Sequence, residues 1–185
     1  MLPEILVNPS KCVACRFCEL ACAVNRDSLS KTMVGAAAEE IRPQARVRVD
    51  AQRGDEELYP VQCRHCEASP CVEACPAGAL YRNEDGVVLL AEDKCVGCWM
   101  CVAVCPFGAV QPARAVPVAF KCDRCTGCAY PYCVNACPTG ALLYGEPEKL
   151  QKKEAAKVCS SADEEGHVCE IVRLGFAGLG VSIEE

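Results

Sequence analysis

Apolar and polar residues alternate along this chain only in short stretches, so the elements they predict are short. Arg46-Val-Arg-Val49 and Leu58-Tyr-Pro-Val61 flank a polar loop and predict a β-hairpin. A second hairpin is predicted where Asp85-Gly86 precedes Val87-Val88-Leu89-Leu90, because Asp-Gly supplies the backbone a tight turn needs. Asp27 to Ile41 predicts a helix that Pro43 terminates, and Glu146 to Val158 predicts another. One apolar run stands apart. Cys95 to Ala113 carries no charged residue and is nearly long enough to span a bilayer. Its cysteines and prolines (Cys105-Pro106 and Pro112) suit the lining of a buried site better than lipid contact, so no transmembrane segment is expected. Short strands mixed with short helices predict an α+β fold.

Internal repetition organises the rest. The first motif is Cys12-Val-Ala-Cys15-Arg-Phe-Cys18-Glu-Leu-Ala-Cys22. The second places Cys63 and Cys66 ahead of Cys71-Val-Glu-Ala-Cys75-Pro76. The third is Cys95-Val-Gly-Cys98-Trp-Met-Cys101-Val-Ala-Val-Cys105-Pro106. The fourth places Cys122 and Cys125 ahead of Cys133-Val-Asn-Ala-Cys137-Pro138. The last three share a tail: Pro76-Ala-Gly-Ala-Leu80, Pro106-Phe-Gly-Ala-Val110 and Pro138-Thr-Gly-Ala-Leu142. In each, proline ends a short helix, glycine permits the turn out, and the apolar pair begins a strand.

Composition sharpens the picture. Cysteine occurs 19 times in 185 residues, aromatics are 5%, and the 51% hydrophobic share falls to roughly 41% without the cysteines. A core so poor in large side chains needs metal–ligand bonds to hold it. Disulfides would call for a secreted chain, but Met1 to Pro9 has neither a basic n-region nor an apolar h-region, so a cytoplasmic location is expected. Zinc takes two separated cysteine knuckles, which four thiols within Cys12–Cys22 or Cys95–Cys105 fit poorly. The third motif instead matches C-x2-C-x2-C-x3-C-P, the bacterial ferredoxin run, whose fourth cysteine serves a neighbouring [4Fe–4S] cluster.

Crossed ligation of the second and third motifs gives Cys63, Cys66, Cys71 and Cys105 to one cluster, and Cys95, Cys98, Cys101 and Cys75 to another. The first and fourth motifs pair by elimination. Cys12, Cys15, Cys18 and Cys137 take a third cluster, and Cys122, Cys125, Cys133 and Cys22 a fourth. We number the clusters by the motif supplying three ligands: cluster 1 (Cys12), cluster 2 (Cys63), cluster 3 (Cys95) and cluster 4 (Cys122). The expected fold is two interleaved bacterial-ferredoxin-like 2[4Fe–4S] modules. Residues 1–50 plus 118–145 form the outer unit, 51–117 the inner unit, and 146–185 a C-terminal helix and tail for docking or assembly. Cys128, three positions after Cys125, is an alternative ligand, though alignment of the repeats favours Cys133. Cys159 and Cys169 read as small apolar packing, with a redox or metal role in the tail as the sharper alternative.

The formal charge is −6. Each filled site adds about −2, taking the loaded chain to about −14, which excludes nucleic acid and favours a basic docking face on a protein partner. No glycine-rich dinucleotide loop or radical-generating C-x3-C-x2-C motif occurs, and four thiolates per cluster leave no iron open to substrate. His65, inside the second motif, reads as a group that tunes or shields a cluster. Arg16, Arg64, Lys94, Lys121 and Arg124 stand beside ligands, where they offset cluster charge or form ordinary solvated surface.

The order Lys11-Cys12 to Cys22, Gln62-Cys63-Arg-His-Cys66, Lys121-Cys122-Asp and Cys133 to Leu142 resembles the four-cluster ferredoxin-type electron-transfer subunits. These accompany carbon monoxide dehydrogenase, hydrogenase, formate dehydrogenase and tungsten aldehyde oxidoreductase, and are similar to the beta subunits of molybdopterin oxidoreductases. The resemblance covers about residues 5–145 and leaves out the tail. It implies four [4Fe–4S] clusters, no catalysis in this chain, and single-electron relay in anaerobic metabolism. The electrons would pass between a catalytic subunit and a second redox partner, with self-association into a longer wire as a further arrangement. A free diffusible polyferredoxin and a cluster-stabilised scaffold are the alternatives. Two departures stand out: Ala23 replaces the proline after Cys22, and Trp99 adjoins Cys98 without displacing a ligand, so cubanes are expected throughout.

Overall fold

The computed structural model describes residues 3–51 and 58–146. Among the described residues eight strands pair two by two, all antiparallel. Strand β1 (Glu4–Val7) pairs with β8 (Leu142–Gly145), from Glu4 opposite Gly145 to Val7 opposite Leu142. Strands β2 (Val47–Ala51) and β3 (Leu58–Gln62) form the expected first hairpin, with Val47 opposite Gln62. Strands β4 (Leu80–Arg82) and β5 (Val88–Leu90) form the second. Its turn places Gly86 at φ 67, and Val87 N–H donates to Asn83 Oδ1 at 2.8 Å. Strands β6 (Gln111–Pro112) and β7 (Ala119–Phe120) make the smallest pair.

The helices are single turns or little more: α1 (Phe17–Cys22), α2 (Met33–Ala38), α3 (Pro70–Glu73), α4 (Met100–Val104) and α5 (Tyr132–Asn135). Helix α1 packs on α5, and α3 on α4. Among the described residues no helix is long and apolar enough to cross a membrane.

The structure corrects the helix expected over Asp27–Ile41. Only Met33–Ala38 is α-helical; a π turn over Ala23–Asp27 follows α1, and bends separate it from α2. Serine and threonine side chains compete with helix here. Glu39 Oε1 accepts from Ser28 Oγ at 2.6 Å and from the amides of Leu29 at 3.0 Å and Ser30 at 3.1 Å. Thr32 then caps α2 by accepting from Gly35 N–H. The helix expected over Glu146–Val158 lies outside the described residues, apart from Glu146 at their edge.

Two small apolar clusters form. One gathers Ile5, Val47, Val49, Val134 and Leu142 with the thiols of Cys18, Cys22 and Cys133. The other gathers Leu80, Val88, Val110 and Ala119 with Cys101. An isolated two-stranded ribbon is marginal in water, and these cores are too small to anchor four of them by apolar burial alone.

Candidate metal centres

All four C-x2-C loops turn the same way. The residue just before the second cysteine takes a left-handed backbone in each: Ala14 (φ 53), His65 (φ 49), Gly97 (φ 67) and Arg124 (φ 55). That conformation folds the loop back on its first sulfur. The amide of His65 donates to Cys63 Sγ at 3.4 Å, and that of Arg124 to Cys122 Sγ at 3.3 Å.

The Pro-x-Gly-Ala tails do the same for the last cysteine of a motif. Ala79 N–H donates to Cys75 Sγ at 3.3 Å and Ala109 N–H to Cys105 Sγ at 3.4 Å. The first motif, lacking the proline, is served differently. Its chain runs on from Cys22 into the π turn, and Arg46 N–H at the start of the β2 hairpin donates to Cys22 Sγ at 3.3 Å.

The thiols gather in sets. Cys75, Cys95, Cys98 and Cys101 line one cavity. Cys63, Cys66, Cys71 and Cys105 line a second. Around Cys133, burial first and then the neighbouring Cys122, Cys22 and Cys125 push its thiol well up. Cys18 is pushed up to about 12 by burial, then by Glu19, Cys137 and Cys15, against the hydrogen bond from its neighbour's backbone. Cys12 closes the short turn Pro9–Lys11 at the mouth of that loop. Burial likewise drives Cys122 to about 12 and Cys22 to about 11. Burial also works on Cys75, but the amides of Leu80, Ala79, Ala77 and Gly78 outweigh it and lower that thiol.

The donor set fits an iron–sulfur cluster better than a lone ion. Among the described residues no three Cys, His, Asp or Glu side chains converge on the point a single metal would occupy. Every described cysteine is free. Lys121 adds to the fit. It is 5% exposed, its ammonium donates to Val88 O at 2.5 Å and Cys122 O at 2.7 Å, and it makes no ion pair with a described carboxylate. A buried ammonium left so is costly unless anionic groups stand near, and Cys71 and Cys122 lie within its field.

Cys128 is half-buried beyond Cys125, within reach of Arg26 Nη1 at 3.6 Å and hydrogen-bonded to the Tyr132 hydroxyl. Asp123 holds Arg26 and Arg46 together at that edge. Cys159 and Cys169 lie outside the described residues. Sequence reasoning missed Arg82, whose guanidinium ties down the second loop through the carbonyls of His65, Cys66 and Glu67 and the hydroxyl of Ser69. It missed the Arg46 amide as well; no side-chain pattern marks a backbone donor.

Known proteins share these features. A family described as "4Fe-4S dicluster domain" matches residues 55–147, and one described as "4Fe-4S binding domain" matches residues 9–25. An "Iron-sulfur protein" of Rhodospirillum rubrum is 43% identical over 94 residues, 51% of this chain and 47% of that protein, so the match spans about half its length. The "Thiosulfate reductase electron transfer subunit PhsB" of Salmonella typhi is 36% identical over 155 residues, covering 80% of this chain and 77% of the relative. The B subunit of the anaerobic dimethyl sulfoxide reductase of Escherichia coli (strain K12) is 34% identical over 153 residues, covering 80% of this chain and 75% of the relative.

Proposed function

Because this chain belongs to the 4Fe-4S dicluster family of iron–sulfur subunits, we propose that it relays single electrons through four [4Fe–4S] clusters between a catalytic oxidoreductase subunit and a second redox partner. The observation that carries this is the grouping of the thiols in sets. Two cavities each hold one crossed set, and the electrostatic neighbours of Cys133 and Cys18 belong to the other two. The ligand sets are those given above for clusters 1 to 4. With every corner held by thiolate, the chain transfers electrons and leaves catalysis to its partner.

Interleaving of an outer and an inner ferredoxin unit is supported by the pairing of β1 with β8, by α1 on α5, and by an apolar cluster uniting both ends of the described chain. The β2–β3 and β6–β7 ribbons stitch the units together. Cys63 lies within the field of Cys122, which makes clusters 2 and 4 the central pair. Among the described cysteines Cys15 and Cys98 are the exposed ones, which favours clusters 1 and 3 at the ends. The relay then runs 3–2–4–1. Exposed apolar residues flank each end: Val13 (66%) and Phe17 (51%) beside Cys15, Val96 (70%) and Met100 (47%) beside Cys98.

The names of the relatives favour a reductase of oxidised sulfur compounds as the partner class, ahead of the carbon monoxide and aldehyde enzymes that the resemblance brings forward first. Anaerobic purification of the native protein tests the reading. About sixteen iron and sixteen acid-labile sulfide per chain, with a catalytic subunit co-purifying, is expected. A chain that runs alone returns the diffusible polyferredoxin, and zinc without sulfide overturns the clusters altogether.

A further inference from the structure

His65 is buried inside the second cysteine loop, at 6% exposure, with an unfavourable left-handed backbone. Its Nδ1 accepts a hydrogen bond from Val88 N–H at 3.0 Å. A ring nitrogen that accepts carries no proton, so the neutral imidazole bears its hydrogen on Nε2. That Nε2 is buried and meets no partner within the described protein. The ring lines the same cavity as Cys63, Cys66, Cys71 and Cys105.

Buried N–H donors are seldom left unmade, so this one points to an acceptor that the polypeptide does not supply. Val88, which fixes the other side of the ring, is itself held through its carbonyl by Lys121. The corresponding positions of the other loops offer nothing similar. Ala14 and Gly97 have no donor side chain, and Arg124 Nη1 is turned away onto Pro3 O at 3.1 Å.

We propose that His65 Nε2–H donates a hydrogen bond to a sulfur of cluster 2, and that this bond raises the reduction potential of that cluster alone among the four. The inference rests on the ligand set assigned above to cluster 2. An N–H···S bond draws electron density off the sulfur and stabilises the reduced, more negative core. His65 is thus a positioning and tuning residue of one central relay station.

Protein labelled with ¹⁵N only in histidine and reduced anaerobically tests this through pulsed paramagnetic resonance. His167 is the other histidine in the chain, so His167→Gln serves as the control. A ¹⁵N coupling that persists in His167→Gln and is lost in His65→Leu is expected. Potentiometric titration of His65→Leu should show one cluster of four holding its electron about tenfold less well, a downward shift of about 59 mV. His65→Gln, which keeps an N–H donor, should recover part of the shift. A fully loaded wild-type protein with no histidine coupling overturns the proposal even where His65→Leu fails to load, and so do four unmoved potentials. A failure of the cluster reading itself is distinct, because the reduced protein then gives no iron–sulfur signal at all.

Discussion

At the residue scale, the loops impose the same left-handed turn on four different amino acids. Ala14, His65 and Arg124 adopt it against their preference, at roughly 1–2 kcal/mol each. Gly97 alone escapes that cost, and it has a second reason to be glycine. A Cβ built there would lie 2.4 Å from Pro117 O, a backbone atom that cannot swing aside. Gly97→Ala should therefore lose cluster 3, removing about four irons per chain, while Ala14→Gly keeps all clusters and gains roughly 1 kcal/mol of stability. Iron content and thermal unfolding under argon check both, and unchanged iron in Gly97→Ala would remove the steric argument. Cysteine spacing was legible in the sequence because few side chains replace a thiolate. The turn was not, because three of its four occupants show no sign of the strain they bear.

At the element scale, the hairpins were legible wherever a local signal existed. Asp85-Gly86 fixed the β4–β5 turn, and alternation at Arg46–Val49 marked β2. Strand β1 carries no such signal: its four residues have no turn beside them, and their partner β8 lies at the opposite end of the described chain. The helix expected over Asp27–Ile41 is cut short because helical spacing does not reveal side chains that bond their own backbone. Glu39 gathers Ser28, Leu29 and Ser30 onto one carboxylate oxygen, and those hydrogen bonds hold its carboxyl below the usual range. Glu39→Ala should release the amides of Leu29 and Ser30, raising their hydrogen exchange several-fold, with the clusters unaffected. Exchange that stays as slow as in the parent chain would mean the bends are held by something other than this carboxylate.

At the scale of the whole molecule, the unequal burial of the cysteines was not legible in the sequence, since burial is a property of the assembled fold. It has a consequence for assembly. In the proposed outer unit, burial raises the thiols of Cys18, Cys22, Cys122 and Cys133 before loading, to about 12 for Cys18 and Cys122. In the inner unit, Cys71 and Cys101 are also raised by burial, but Cys75 is lowered by its amides. Iron binds thiolate, so each neutral thiol must surrender a proton, and loading is pulled forward as pH rises. The raised folded values set the sign: protons are held most tightly in the outer unit, so clusters 1 and 4 are the harder to fill at low pH. Reconstitution with limiting iron and sulfide at pH 6.5 should yield a half-loaded chain carrying clusters 2 and 3, and at pH 8.5 the outer pair should follow. Iron per chain at the lower pH, about eight if two clusters form, and the variants that lose it distinguish the two states. Loss of about four of those irons in Cys101→Ser, and of none in Cys133→Ser, is the expected pattern at the lower pH. The reverse pattern would mean that order of synthesis or loop access, and not the proton held by each buried thiol, decides which cluster forms first.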